Sequence, residues 1–151
     1  MHTTTDGARI ARAIESLRPC DEVLVVDHGS RDDTCDVARR FGARVVSAQG
    51  TAAETEPYLR EASNDWIFCL HPTESTAEAL EASLSEWKFP EHAEDCSYEV
   101  AIHEETDKGW AVCPIEIRLV NRKLAQWRGW KPVATSTPIA LEGYLTRFRL
   151  P

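Results

Sequence analysis

The hydrophobic pattern of the first part of the chain switches repeatedly between two periods. Ile10, Ile14 and Leu17 recur at helical spacing with Pro19 just beyond, which predicts a helix over 7–17. Residues 23–26 are all apolar, as expected of a strand covered on both faces, and the run stops at Asp27. A polar turn follows, His28 to Asp33, and then Val37 and Phe41 mark a helix over 34–41 closed by Gly42. Residues 44–47 read as a second strand. Residues 51–62 are weakly helical, with Tyr58, Leu59 and Ala62 on one face and Pro57 interrupting them. Residues 66–70 form another apolar strand. Ser75 and Glu78 read as a capping box ahead of a helix carrying Leu80, Leu84 and Trp87, which Pro90 stops.

The pattern then changes. Residues 98–102 and 115–120 alternate, with Ile115, Ile117 and Leu119 on one face and Glu116 and Arg118 on the other, as in half-exposed strands. Residues 124–127 and 139–148 add further strand. The chain is therefore read as α/β, with a mostly parallel central sheet and a β-rich carboxyl-terminal part. With no repeat, low-complexity stretch or linker, one continuous sheet in one domain over 1–151 is expected.

Composition narrows the function classes. A chain of 151 residues is long enough to bury about two-thirds of its unfolded surface. The net charge of −8 argues against nucleic-acid binding, which requires basic surface, and against docking on anionic membranes. No apolar run approaches the length of a bilayer span, and the first residues lack the basic and apolar regions of a secretory signal. Five cysteines, Cys20, Cys35, Cys69, Cys96 and Cys113, are odd in number and include no C-x-x-C, which fits reduced thiols in the cytoplasm.

The strand-to-turn segment carries the candidate chemistry. Ligands of open α/β sheets gather at the carboxyl ends of the strands, where Asp27 falls. The run VVDHGSRDDT, its short helix and the following GARV resemble the nucleotide-sugar-binding half of family 2 glycosyltransferases. The nearest likeness is to bacterial enzymes that add sugars to lipopolysaccharide cores. It covers about residues 9–88 well and about 95–151, the acceptor-side half, more faintly. It implies a GT-A (Rossmann-like) α/β/α sandwich. It also implies a nucleotide-sugar donor bound by Asp27, Gly29 and Ser30, with Asp27 at the base, and a divalent Mg²⁺ or Mn²⁺ on the departing diphosphate.

The same comparison exposes departures. No apolar run precedes the first helix, so either the start is truncated or the first strand has been dispensed with. The edge of strand 23–26 then needs cover, from the amino-terminal segment or from a second copy in a homodimer. The family's Asp-x-Asp motif falls on His71 and Thr73, leaving His71 and Glu74 as the metal-ligand candidates, suited to a softer ion. Arg118-Leu119-Val120-Asn121-Arg122 matches an R-L-F-x-R landmark, but residues 128–134 replace the His-Glu motif of the base. The departures fall on catalytic positions, which points to a transferase of reduced or lost activity, or to a non-catalytic binding or interaction domain on the same scaffold. No residue is assigned as catalytic. Trp110 and Trp130, near turns, are candidates for stacking on a sugar or for covering the end of the sheet.

Overall fold

The computed structural model describes residues 1–149. The chain opens with β1 (His2–Thr3), α1 (Gly7–Glu15), β2 (Leu24–Asp27), α2 (Thr34–Arg40) and β3 (Arg44–Ser47). A 3-10 turn, Glu56–Glu61, leads to β4 (Trp66–Phe68), β5 (Glu74–Thr76) and α3 (Glu78–Trp87). Long strands β6 (Ser97–Thr106) and β7 (Gly109–Asn121) form a hairpin. The short pair β8 (Gln126–Arg128) and β9 (Lys131–Val133) and the strand β10 (Ile139–Arg147) complete the order. The fold is mixed α/β.

The expected single sheet is divided. β1, β2 and β3 form a parallel sheet in that order, with β2 central. A second sheet runs β4-β7-β6-β10-β5, and within it only the β6–β10 pair is parallel. The all-parallel sheet is thus confined to the amino-terminal third. The division has a local cause: β1 is only two residues long and pairs with β2, while β4 pairs with β7 instead.

The amino-terminal segment does supply a strand, although no apolar run announces it. His2 pairs with Val26 and Thr3 with Asp27, and the amides of Val26 and His28 donate to the carbonyls of Met1 and Thr3 at 2.8 and 2.9 Å. Pairing alone makes this a strand, because an unpaired β2 edge would leave those amides unsatisfied. Of the two covers left open by the sequence, this edge of β2 has the intrachain one.

Helix α1 ties the two sheets together. Ile10 and Ile14 pack with Val25, Val37 and Ala38, whereas Ala13 and Leu17 join Leu80, Leu84, Val100, Ile102 and Leu145. Residues at i and i+3 point to the neighbouring stripes of one helix, so one amphipathic face serves both cores. Ser75 lies in β5, paired with Thr146, and α3 starts at Glu78 after Ala77 with no side-chain cap, so the expected capping box is absent. Backbone pairing to β10 has taken the residue that would have capped. Gly143 has φ +92°, and a Cβ there would lie 2.4 Å from the amide nitrogen of Leu80. α3 therefore rests directly on the β10 backbone.

Candidate functional site

A cavity of about 300 Å³ opens at the carboxyl ends of β1 and β2. The loop after β1 forms its floor. The Thr3 hydroxyl donates to Asp6 Oδ2 at 2.7 Å, and Arg9 donates to Asp6 Oδ1 at 2.7 Å. The Asp6 amide donates to Thr34 Oγ1, and the Gly7 amide to Asp32 Oδ2. Asp32 also accepts from Thr34, so the start of α2 is fastened to the start of α1. Thr5 lies at φ 112°, an unfavourable conformation for a β-branched residue, and lines the cavity. The walls are His2, His28, His71, Thr73 and Trp130.

Asp27, Gly29 and Ser30 fall together on one turn beside this cavity. Asp27 Oδ1 accepts from the Ser30 amide at 3.0 Å and from the Ser30 hydroxyl. Burial pushes the Asp27 carboxyl up, but the Ser30 hydroxyl and amide, the Cys35 thiol and the Gly29 amide outweigh it and hold it below the ordinary value. Gly29 takes φ +83°, which favours glycine over any residue with a Cβ. The turn thereby aims His28, rather than Asp27, along the cavity wall.

His71 and Glu74 do not form a metal-ligand pair. Glu74 is fully buried and faces away into a charged network. Arg118 grips it with two bonds of 2.8 and 2.9 Å, Arg147 adds bonds of 2.9 and 3.1 Å, and the His71 amide adds one of 3.0 Å. Burial opposes its ionisation, yet Arg118 and Arg147 hold the carboxyl below its ordinary value. No lone pair of Glu74 is left for an ion. His71 has the wrong tautomer as well. The Thr73 amide donates to its Nδ1, and the Thr73 hydroxyl lies 2.8 Å from the same atom. A backbone N–H only donates, so Nδ1 bears the lone pair and Nε2 bears the proton. A ligating histidine usually donates from the nitrogen that does not hold the metal, whereas His71 accepts there. Among the described residues, no group of three or more His, Cys, Asp or Glu side chains is placed to hold an ion. A divalent metal therefore does not fit the side chains present.

Sequence periodicity gives no sign of His2 or His28, which the fold brings into contact. His2 Nδ1 and His28 Nε2 are 2.9 Å apart. Trp130 reaches the same cavity, its ring 5.8 Å from that of His71, with Arg118 and Lys131 at 5.0 and 5.3 Å. Trp110 lies elsewhere, 56% exposed and edge-on to Phe148. His103, Glu104 and Glu105 are on β6, where Glu105 accepts from the Arg149 amide, and none of them lines the cavity.

A larger cavity, about 550 Å³, lies between Val23 and Leu24 on one side and Trp66 and Phe68 on the other. Most of its charged rim groups have protein partners: Lys88 with Asp21, Glu22 with Arg44 and Ser63, and Asp65 with Arg122 and Lys123. Convergent polar groups distinguish ligand sites, so the chemistry favours the smaller cavity.

No family model matches the chain. In sequence it is similar to an uncharacterized glycosyltransferase of Rickettsia typhi, 31% identical over 135 residues that cover 83% of this chain and 46% of that protein. The corresponding protein of Rickettsia felis is 32% identical, with 83% and 47% covered, and that of Rickettsia prowazekii 30%, with 83% and 46% covered. The chain thus spans about half the length of the curated relatives it matches. Among solved structures it is similar to glucosyl-3-phosphoglycerate synthase from Mycobacterium tuberculosis in complex with phosphoglyceric acid. That likeness has a TM-score of 0.49 and 23% identity, and covers 68% of this chain and 41% of that one. No helix among the described residues is long and apolar enough to cross a membrane. By its sequence relatives the chain is glycosyltransferase-like.

Proposed function

We propose that the chain carries the donor-binding part of a family 2, GT-A-type glycosyltransferase, and that the smaller cavity takes the nucleotide end of a nucleotide-sugar. The observation that carries this reading is the position of that cavity. It opens at the carboxyl ends of the parallel strands, where α/β sheets bind ligands. The similarity to glycosyltransferases over most of the chain supports it. In this reading the Asp27–Ser30 turn is the rim against which the base and ribose rest. His71 and the exposed face of Trp130 flank the diphosphate and sugar.

Transfer to a hydroxyl acceptor needs a base, and the carboxylates around the cavity are already engaged. Asp6 is bonded to Arg9 and Thr3, Asp27 to Ser30, and Glu74 to two arginines. A carboxylate whose lone pairs already accept hydrogen bonds is a weak proton acceptor. We therefore read the chain as binding donor with transfer reduced or lost. Five free cysteines fit a reducing compartment.

Thermal unfolding against UDP-, GDP-, TDP- and CMP-sugars tests the donor reading. A ligand at about 100 times its Kd stabilises by about 2.7 kcal/mol, or several degrees for a domain of this size. Stabilisation by one nucleotide class is expected. No shift with any of them would sink the reading.

A further inference from the structure

The cavity wall contains a hydrogen-bonded chain that is one proton short. It runs from the Gly50 carbonyl to His28 Nδ1 at 3.3 Å, from His28 Nε2 to His2 Nδ1 at 2.9 Å, from His2 Nε2 to Thr55 Oγ1 at 3.2 Å, and from Thr55 Oγ1 to the Trp130 carbonyl at 3.0 Å. Both ends are carbonyl oxygens, which only accept. Four links each need a hydrogen. Two neutral imidazoles and one hydroxyl supply three. One added proton, shared by the His2–His28 pair, completes every link and leaves a positive charge on the cavity wall.

We infer that the cavity binds a diphosphate by taking up this proton on the His2–His28 pair, in place of the divalent metal that its side chains cannot hold. The inference rests on the donor reading only in taking the anion to be a diphosphate. Two further features serve an anion rather than a cation. His71, facing the same space, has its proton on Nε2 and can donate it there. Behind Trp130 the network sets three cations, Arg118, Arg147 and Lys131, against two carboxylates, Glu74 and Glu116. Arg9 also lines the cavity, paired there with Asp6.

The charged and titratable groups facing the pair explain why the proton arrives with the ligand. Asp6 and Arg9 neutralise each other at the start of α1. Asp27, beside His28, turns its carboxylate to Ser30. Tyr58 meets His2 edge-on at 5.9 Å, and His71 stands across the cavity. Burial, with the Met1 ammonium and the His28 and His71 rings nearby, pushes His2 down to about 3, so the protein alone keeps His2 neutral. A bound dianion reverses that balance, since an opposite charge nearby favours the imidazolium.

Isothermal titration calorimetry with inorganic pyrophosphate, UDP, GDP and TDP tests this, in buffers of different ionisation enthalpy, each with EDTA and with Mn²⁺. The expected result is binding whose Kd differs by less than about twofold between EDTA and Mn²⁺, with uptake of about one proton per diphosphate near neutral pH. Affinity should fall as pH rises, by up to about tenfold per unit for one linked proton. In His28→Gln, or in His2→Gln should the first not fold, binding weakens and proton uptake disappears, because an amide bridges without titrating. A requirement for Mn²⁺, or metal-free binding without proton uptake, overturns the inference and leaves the donor reading standing. Binding of pyrophosphate but of no nucleotide supports the inference and overturns the donor reading. No binding by any probe overturns both.

Discussion

Replacing Glu74 by glutamine removes the negative centre of the buried network while nearly keeping its shape. The carboxylate accepts five bonds of 2.8–3.1 Å, four of them from two guanidinium groups. Arg118 is itself fully buried, so the variant leaves it without its main compensating charge and turns an amide NH₂ toward its donors. Removing one partner of a buried ion pair costs about 3–5 kcal/mol. Each kcal/mol moves the midpoint by about 2–4 °C in a chain of this length, so Glu74→Gln should melt roughly 10 °C lower. The double variant Glu74→Gln with Arg118→Met should recover part of the loss, because no buried cation then remains unpaired. Urea and thermal unfolding without metal measure both. A Glu74→Gln midpoint equal to or above that of the parent would refute the reasoning, because that is the result expected of a carboxylate held ready for a metal.

The same network fixes a pH dependence. The folded carboxyl of Glu74 is held below its ordinary 4.5, so its contribution to stability is complete above that value and is lost as pH falls toward the lowered one; the acid limb of the stability curve should flatten in Glu74→Gln. Gly143→Ala should destabilise by about 2–5 kcal/mol, combining a positive φ with a Cβ forced against the α3 backbone, whereas Gly50→Ala, with open space around it, should cost under about 1 kcal/mol in chemical denaturation. Asp27→Ala should cost about 2–3 kcal/mol by releasing the Ser30 hydroxyl and amide, while Asp27→Asn keeps an acceptor at Oδ1 and should lose less than about half of that, as read by urea titration. Trp130→Leu should leave the fold intact by circular dichroism and weaken nucleotide binding by about 1–2 kcal/mol through lost stacking, read by calorimetry.

The elements with strong local patterns were legible in the sequence. α1, β2, α2 and β3 follow from apolar spacing and turn residues, and each forms within a residue or two of its expected bounds. The pairing of strands was not legible, because β1 has no apolar run and exists through its bonds to β2. Trp66–Phe68 has the composition of a central strand, but it lies half-buried at a sheet edge against β7. Ser75 matches a cap by spacing and is claimed by β10. A cavity opens at the strand ends that the sequence pointed to, and of the candidate binding and metal residues His71 lines it whereas Asp27, Gly29, Ser30 and Glu74 do not. Asp27 turns back on its own loop, and Glu74 answers to Arg118 and Arg147, which lie 44 and 73 residues further along the chain. The histidine pair needs contact between residues 26 positions apart, which no local pattern encodes.

The most direct test of the donor site is a nucleotide titration followed by amide and indole NMR shifts. The account predicts that the shifts cluster at residues 3–6 and 28–30, at Thr73 and at the Trp130 indole, the groups around the smaller cavity and its rim. Shifts centred instead on Leu17, Trp66 and Trp87, around the larger apolar cavity, or no shifts with any nucleotide, would contradict it.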